Sequence, residues 1–198
     1  MIIGLDEVGR GSWAGPLLFA AVALATEVPG LRDSKKLAPK VRQELYLEIK
    51  KNANFIGYGW VHSHEIDSVG LAVALRLAAE RSVEGISKHE RKNKIVVDGN
   101  IDYLGWKNSG SLVKADDQVP EVSAASIMAK VARDNLMKRY DLLYPNYGFK
   151  NNVGYGTAQH AKALKRHGVT KNHRLSFKPV QFIHEKYPGR KTSRDYRS

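Results

Sequence analysis

Two adjacent acids, Asp6 and Glu7, follow an apolar start at Met1-Ile2-Ile3 and precede the triplet Gly9-Arg10-Gly11. Carboxylates at the end of a strand are hard oxygen ligands of the kind Mg²⁺ and Mn²⁺ take. Glycines let a backbone approach a ligand closely, and an arginine between them offers donors to a phosphate. The combination reads as a metal site beside a phosphodiester. An isolated Asp-Glu pair is an ordinary solvated turn, so its weight comes from the acids further along. Asp98 closes the apolar run Ile95-Val96-Val97, and Asp116 or Asp117 follows the run Ser111 to Lys114. Four carboxylates brought together repel one another unless cations neutralise them, and two divalent ions are the natural answer. Such a pair can activate a water and stabilise the leaving oxygen of an in-line phosphoryl displacement. The alternative is that one or two of these acids cap helices, with Asp117, shortly before Pro120, the best placed to do so.

The elements that must position these acids are legible in outline. Ile2 to Leu5 reads as a first strand. Leu17 to Ala25, a nearly unbroken apolar run, reads as a second strand buried on both faces. Pro39 opens a helix with Val41, Leu45 and Ile49 on one face. Asn54 to Val61 is a third strand. His64 to Ile86 is a long helix with an apolar stripe of Ile66, Val69, Val73 and Leu77, and a charged loop follows from Lys88 to Asn93. After the strands ending at Asp98 and near Asp116, Pro120 begins a helix to about Leu143 whose first half is rich in Ala and Ser. Beyond Tyr144 the chain turns loop-rich. Thr157 is placed to cap a short helix that Gly168 closes, and a last helix runs from Pro179 to Lys186. This alternation predicts an α/β domain with a mixed sheet.

A chain of 198 residues suits one domain with a sizeable core and a small appendage. There are no cysteines, which excludes disulfides, zinc–thiolate sites and thiol nucleophiles and fits a reducing, cytoplasmic setting. No stretch approaches the ~20 apolar residues of a membrane span, and no basic-then-apolar leader is present. Lysine and arginine total 32 against 20 acids, a net charge of +12. That surplus favours a polyanionic partner, nucleic acid before membrane.

Seven segments then carry a resemblance. They are DEVGRG at Asp6–Gly11, DSKKL at Asp33–Leu37, VDGN at Val97–Asn100, KADD at Lys114–Asp117, ASIMAKVARD at Ala125–Asp134, GYGT at Gly154–Thr157 and HRLSF at His173–Phe177. In this order, over about 180 residues, the chain resembles the bacterial type 2 ribonucleases H, the ribonuclease HII family. The resemblance implies a ribonuclease H-like α/β fold: a mixed central sheet flanked by helices, with a small helical C-terminal extension. It implies a catalytic domain at 1–145, the extension at 146–188 and a basic, disordered tail at 189–198. The implied activity is endonucleolytic cleavage of RNA in RNA–DNA hybrids and 5′ of single ribonucleotides embedded in duplex DNA. The products would carry 3′-hydroxyl and 5′-phosphate ends, and two Mg²⁺ or Mn²⁺ ions would be needed. A monomer acting on nucleic acid, with no membrane partner, is expected.

Residue by residue, the resemblance makes Asp6, Glu7, Asp98 and Asp116 the metal-binding catalytic acids. It gives Gly9-Arg10-Gly11 the ribose 2′-hydroxyl, the one group that separates RNA from DNA at a site. Tyr155 would pack on the neighbouring sugar; without the resemblance it reads as a core aromatic. Ser34, Lys35, Lys36 and Arg174 fall on the substrate side. For His160 and His173, catalysis and a packed structural role both stay open. The chain departs from the family pattern at Gly70, where asparagine is common, at Ala115, where glycine is usual, and at Leu175, in place of a second arginine. Three other readings compete with it. A type 3 ribonuclease H usually has an extra N-terminal domain and a lysine where Arg10 stands. A non-catalytic nucleic-acid binder would use the acids for structure alone. A Mg²⁺ phosphatase of small substrates fits the +12 charge poorly.

Overall fold

The structure, a computed structural model, describes residues 1–32, 34–86 and 92–187. Asp33, most of the charged 88–93 loop and the basic 189–198 tail therefore lie outside the described residues. Contacts divide the chain into two compact units. The first holds Met1–Val8, Leu18–Trp60 and Leu75–Ala132; the second holds Gly9–Leu17, Val61–Ala74 and the chain from Arg133 onward.

The first unit is built on a five-stranded sheet of order β3-β2-β1-β4-β5. The strands are β1 (Ile2–Val8), β2 (Leu17–Leu24), β3 (Ala53–Val61), β4 (Lys94–Asp98) and β5 (Ser109–Leu112). β1 runs antiparallel to β2 and parallel to β4, and β4 runs parallel to β5. The sheet is therefore mixed, as the sequence predicts. β2 is buried at every position but its last. That pattern marks a strand covered on both faces rather than an amphipathic edge.

Side chains alternate across a strand. Leu18, Ala20 and Val22 of β2 form one core with Leu45 and Ile49 of α1 (Pro39–Asn52) and with Ala124, Ala125 and Met128 of α3 (Pro120–Leu143). Val41, expected on the same face of α1, stays 40% exposed. The small residues of α3 let it press against β1. A Cβ at Gly4 would overlap the Glu121–Val122 peptide, so only glycine fits there.

The helix after β3, α2 (Ser63–Ser82), departs from its sequence reading. Gly70 has φ 76° and ψ 160°, outside the helical region. The turns on either side are thus out of phase. The expected stripe fails at Val69 and Val73, which are exposed, while Ala74, Leu75, Ala78 and Ala79 are buried. Arg81 donates to the Trp60 carbonyl at 2.6 Å, fixing the later half of α2 to the end of β3. β5 also ends two residues earlier than expected. Lys114, at φ 58°, turns the chain out of the strand, and Ala115–Asp117 form a single 3-10 turn.

The second unit packs the rest of α3 with α4 (Phe149–Asn152), α5 (Ala158–His167) and α6 (Lys178–Lys186). Its core gathers Ala14, Met137, Tyr147, Phe149, Leu164 and Ile183. Thr157 caps α5 by accepting the His160 N–H, and Gly168 closes it. No helix among the described residues is long and apolar enough to cross a membrane.

Candidate active site

In the first unit, strand register places the acids. Gly4 pairs with Val96 and with Val22, and Asp6 pairs with Ala20. Alternation therefore puts Asp6 and Asp98 on the face that carries Gly4, at the ends of adjacent parallel strands, facing α3. The Asp98 carboxylate accepts the Ala115 N–H at 2.8 Å, tying the end of β4 to the turn that bears Asp116. From α3 the Ser123 hydroxyl donates to the Asp116 carbonyl of that turn at 2.5 Å. Asp116 is buried, while Asp117 lies at the surface and pairs with Lys36 at 2.7 Å. Glu7 alternates to the other side, opposite Phe19. Its backbone N–H donates to the Asp6 carboxylate at 2.7 Å.

The environment of Asp6 is hostile to its charge. Burial, then the charge of Glu7 and more weakly that of Asp98, push its carboxyl up to about 8 against hydrogen bonds from the Ser126 hydroxyl and the Glu7 N–H. Ser126 also meets Ser34, Oγ to Oγ, at 2.8 Å. Where Ser126 donates to an ionised Asp6, its oxygen is left to accept from Ser34. Ser34, expected to touch phosphate, is thus buried and braces Asp6's partner. Lys36 lies on Asp117, and the side chain of Lys35 falls outside the described set.

A divalent cation is the group that relieves such a set of oxygen donors, so the residues fit one. As they stand, no three acids or histidines among the described residues form a closed metal-binding cluster. The tight four-carboxylate convergence expected from the sequence is therefore not seen as such. Asp6, Asp98 and the Asp116 turn share one end of the sheet, with Glu7 on the opposite side of β1.

In the second unit, Gly9-Arg10-Gly11 forms a tight turn closed by Ser12. Both the N–H and the hydroxyl of Ser12 bond the Gly9 carbonyl, at 3.3 and 2.9 Å. Arg10 and Gly11 occupy its exposed tip. Gly9 has φ 88° and lies against Arg133, so a side chain there is excluded on both counts. Two buried arginines hold this turn. Arg174 donates to the Gly15 carbonyl through Nε and one terminal nitrogen, at 3.1 and 2.9 Å, and to the Arg10 carbonyl at 2.9 Å. Arg133 donates to the Pro16, Val153 and Ala14 carbonyls and to the Ser12 hydroxyl, at 2.8–3.1 Å. Burial, and then the charge of Arg133, pull the Arg174 guanidinium down to about 9, so it remains a cation at neutral pH. Arg174, expected at the substrate surface, is fully buried and shapes the turn from behind.

Tyr155 is 38% exposed, with its ring 5.9 Å from the Arg133 guanidinium. Val153, two residues earlier, sits at φ 42°, a conformation costly for a β-branched residue. Its carbonyl is held by Arg133 and its N–H bonds Phe149. The sequence reading missed Ser126 and Arg133. The available signal was phase: Arg133 continues the buried series Val122, Ser126, Ala129 and Met137 along α3.

A mixed sheet of this order, with acids at the ends of β1 and β4, defines a ribonuclease H-like α/β fold. The pattern describing ribonuclease HII matches residues 3–180. A ribonuclease HII of Campylobacter concisus is 44% identical over 176 residues, covering 89% of this chain and 92% of that protein. Ribonuclease H2 of Pyrococcus horikoshii OT3 aligns with TM-score 0.75 at 25% identity, over 94% of this chain and 98% of that one. Ribonuclease HII in its complex with PCNA from Archaeoglobus fulgidus also aligns at 0.75 and 25%, over 89% and 95%. The chain belongs to the ribonuclease HII family, whose members are metal-dependent endoribonucleases acting on RNA–DNA substrates.

Proposed function

We propose that this chain cuts the RNA strand of RNA–DNA hybrids and nicks duplex DNA on the 5′ side of single embedded ribonucleotides, leaving 3′-hydroxyl and 5′-phosphate ends. The observation that carries the reading is Asp6 beside Asp98 on adjacent parallel strands, in surroundings that resist uncompensated negative charge. Asp6, Glu7, Asp98 and Asp116 would hold two Mg²⁺ or Mn²⁺ ions. When bound, such ions supply an activated water and neutralise the departing 3′-oxygen. Ser126, itself held by Ser34, keeps the Asp6 carboxylate oriented.

In the Gly9–Gly11 turn a glycine on either side of Arg10 leaves backbone groups open to approach, which suits the 2′-hydroxyl, a donor and acceptor at once. Tyr155 offers its ring to the adjoining sugar. Lys35 and Lys36 add positive charge for phosphates. Arg174 contributes by fixing the Arg10 carbonyl rather than by touching substrate. The protein works as a cytoplasmic monomer in this reading, with residues 146–188 as a helical extension of a catalytic domain at 1–145.

The test is nicking of a DNA duplex containing one ribonucleotide, with and without EDTA, beside all-DNA and all-RNA duplexes. Cleavage confined to the ribonucleotide and lost with EDTA is expected. Asp6→Asn should abolish it while hybrid binding persists. Turnover by Asp6→Asn in Mn²⁺ would overturn the assignment, and binding without metal-dependent nicking would favour the non-catalytic reading.

A further inference from the structure

Two buried histidines take no part in the reaction proposed above. His160 lies on α5 and His173 in the loop before α6, and neither exceeds 2% exposure. Their Nε2 atoms meet at 2.9 Å. The far nitrogen of each has a partner whose role is fixed. The Thr170 backbone N–H, which can only donate, points at His173 Nδ1 at 2.8 Å, and the Thr170 hydroxyl, which can donate to the same nitrogen, lies 3.0 Å from it. The Tyr155 carbonyl, which can only accept, lies 3.0 Å from His160 Nδ1.

These two ends force one direction on the chain. His173 accepts at Nδ1, so its proton is on Nε2, and it donates to His160 Nε2. His160 then carries its proton on Nδ1 and donates to the Tyr155 carbonyl. Both rings are neutral, and an extra proton at either accepting nitrogen would set two donors face to face. The rings have little room to turn. Trp13, Tyr147 and Phe149 lie 5.2–6.4 Å centroid to centroid from one another or from the imidazoles. At the receiving end, Tyr155 is pinned at every backbone polar group. Its N–H bonds the Asn152 carbonyl at 2.8 Å, and its carbonyl accepts the Thr157 N–H at 2.9 Å as well as His160.

We propose that His160 and His173 are positioning residues for Tyr155, a one-way hydrogen-bond relay from the Thr170 N–H that fixes where the tyrosine meets the substrate sugar. This rests on the reading that Tyr155 contacts the nucleotide at the cleavage site. Neither histidine touches substrate, and both act through the tyrosine's backbone. Packing alone would hold a phenylalanine at 160 equally well, but it could neither accept from His173 nor donate to Tyr155.

The test is a double-mutant cycle of His160→Phe and Tyr155→Ala, read as kcat/KM for nicking the embedded-ribonucleotide duplex. His160→Phe should lose about tenfold, the worth of one good hydrogen bond, mainly through KM. His160→Gln, which keeps one donor and one acceptor, should recover most of it. In the Tyr155→Ala background, His160→Phe should cost less than about twofold. An equal loss in both backgrounds overturns the relay while leaving Tyr155's own role standing. No effect of Tyr155→Ala alone overturns the tyrosine's role and the relay together. ¹⁵N spectra of the unmutated protein give a reading that needs no variant to fold. His160 protonated at Nδ1 and His173 at Nε2 supports the relay, and any other pair of tautomers overturns it.

Discussion

Replacing Arg133 by methionine removes the donors that organise the Gly9–Pro16 segment while keeping an aliphatic stem of similar length. In the native protein its three guanidinium nitrogens make four hydrogen bonds, to the Pro16, Val153 and Ala14 carbonyls and the Ser12 hydroxyl. The side chain is fully buried, so water does not readily replace it. Charge-assisted bonds of this kind contribute about 1.5–3 kcal/mol each at most. Against that stands the cost of keeping a guanidinium dry, several kcal/mol, which the substitution returns. The balance is a loss of about 3 kcal/mol, or roughly 6–12 °C in Tm for a chain of this length. Arg133→Lys should fall nearly as far, because one ammonium cannot span acceptors that lie in diverging directions. The assay is thermal unfolding followed by circular dichroism, paired with nicking measured well below the variants' midpoints, where KM should rise. A Tm within about 1 °C of the native value would refute the reasoning. So would full rescue by lysine, which would show that charge rather than the planar fork holds the turn.

His173 predicts a specific acid sensitivity. Burial, with His160 beside it, lowers its pKa from 6.5 to about 3. Between those values the unfolded chain binds a proton that the folded chain does not, so stability is full above about pH 6.5 and falls as the pH drops, by roughly 1.4 kcal/mol per unit. Urea unfolding of the native protein and of His173→Gln between pH 7 and pH 4 should converge as the pH falls, and parallel curves would rule this out. Gly4→Ala should destabilise by about 2–4 kcal/mol, because a methyl there overlaps the Glu121–Val122 peptide. It should also weaken cleavage by displacing β1 beneath Asp6, and unchanged unfolding would show that α3 can retreat without cost.

The place of Asp6 and Asp98 at strand ends is legible because its signal is local. A β-branched run followed by Asp6-Glu7, and another followed by Asp98, announces strand ends, and the parallel pairing of β1 with β4 brings those ends together. α3 was legible from Pro120 to Leu143 because its entry and its small-residue half are both written in neighbouring residues. Phase in α2 was not, since a regular helical stripe runs straight through Gly70, whose backbone leaves the helix. The roles of Arg133 and Arg174 were hidden for a different reason. Sequence composition makes an arginine in a basic chain look like a phosphate contact, whereas most of the partners that consume these two lie more than 100 residues away, between Arg10 and Pro16. Only the spacing of Arg133 within a buried helical series hinted at it.

The two units solve the problem of holding a site by different physics. Asp6 and Asp98 sit on strands whose backbone is already paired and whose neighbours are apolar, so position follows from register and packing. The Gly9–Pro16 and Val153–Thr157 segments lie largely outside sheet and helix, apart from the Ala14–His173 bridge and the Thr157 cap of α5, so several of their carbonyls have no partner in a strand or helix ladder. Buried carbonyls must still find donors. Arg133 and Arg174 supply them to the first segment, and Arg133 reaches the second as well through the Val153 carbonyl. On the proposed reading these segments present backbone to a ribose, and their own side chains, such as the Ser12 hydroxyl on the Gly9 carbonyl, do only part of the holding. The rest is imported from residues far away in sequence, and in this chain it arrives as guanidinium forks and a pair of neutral imidazoles.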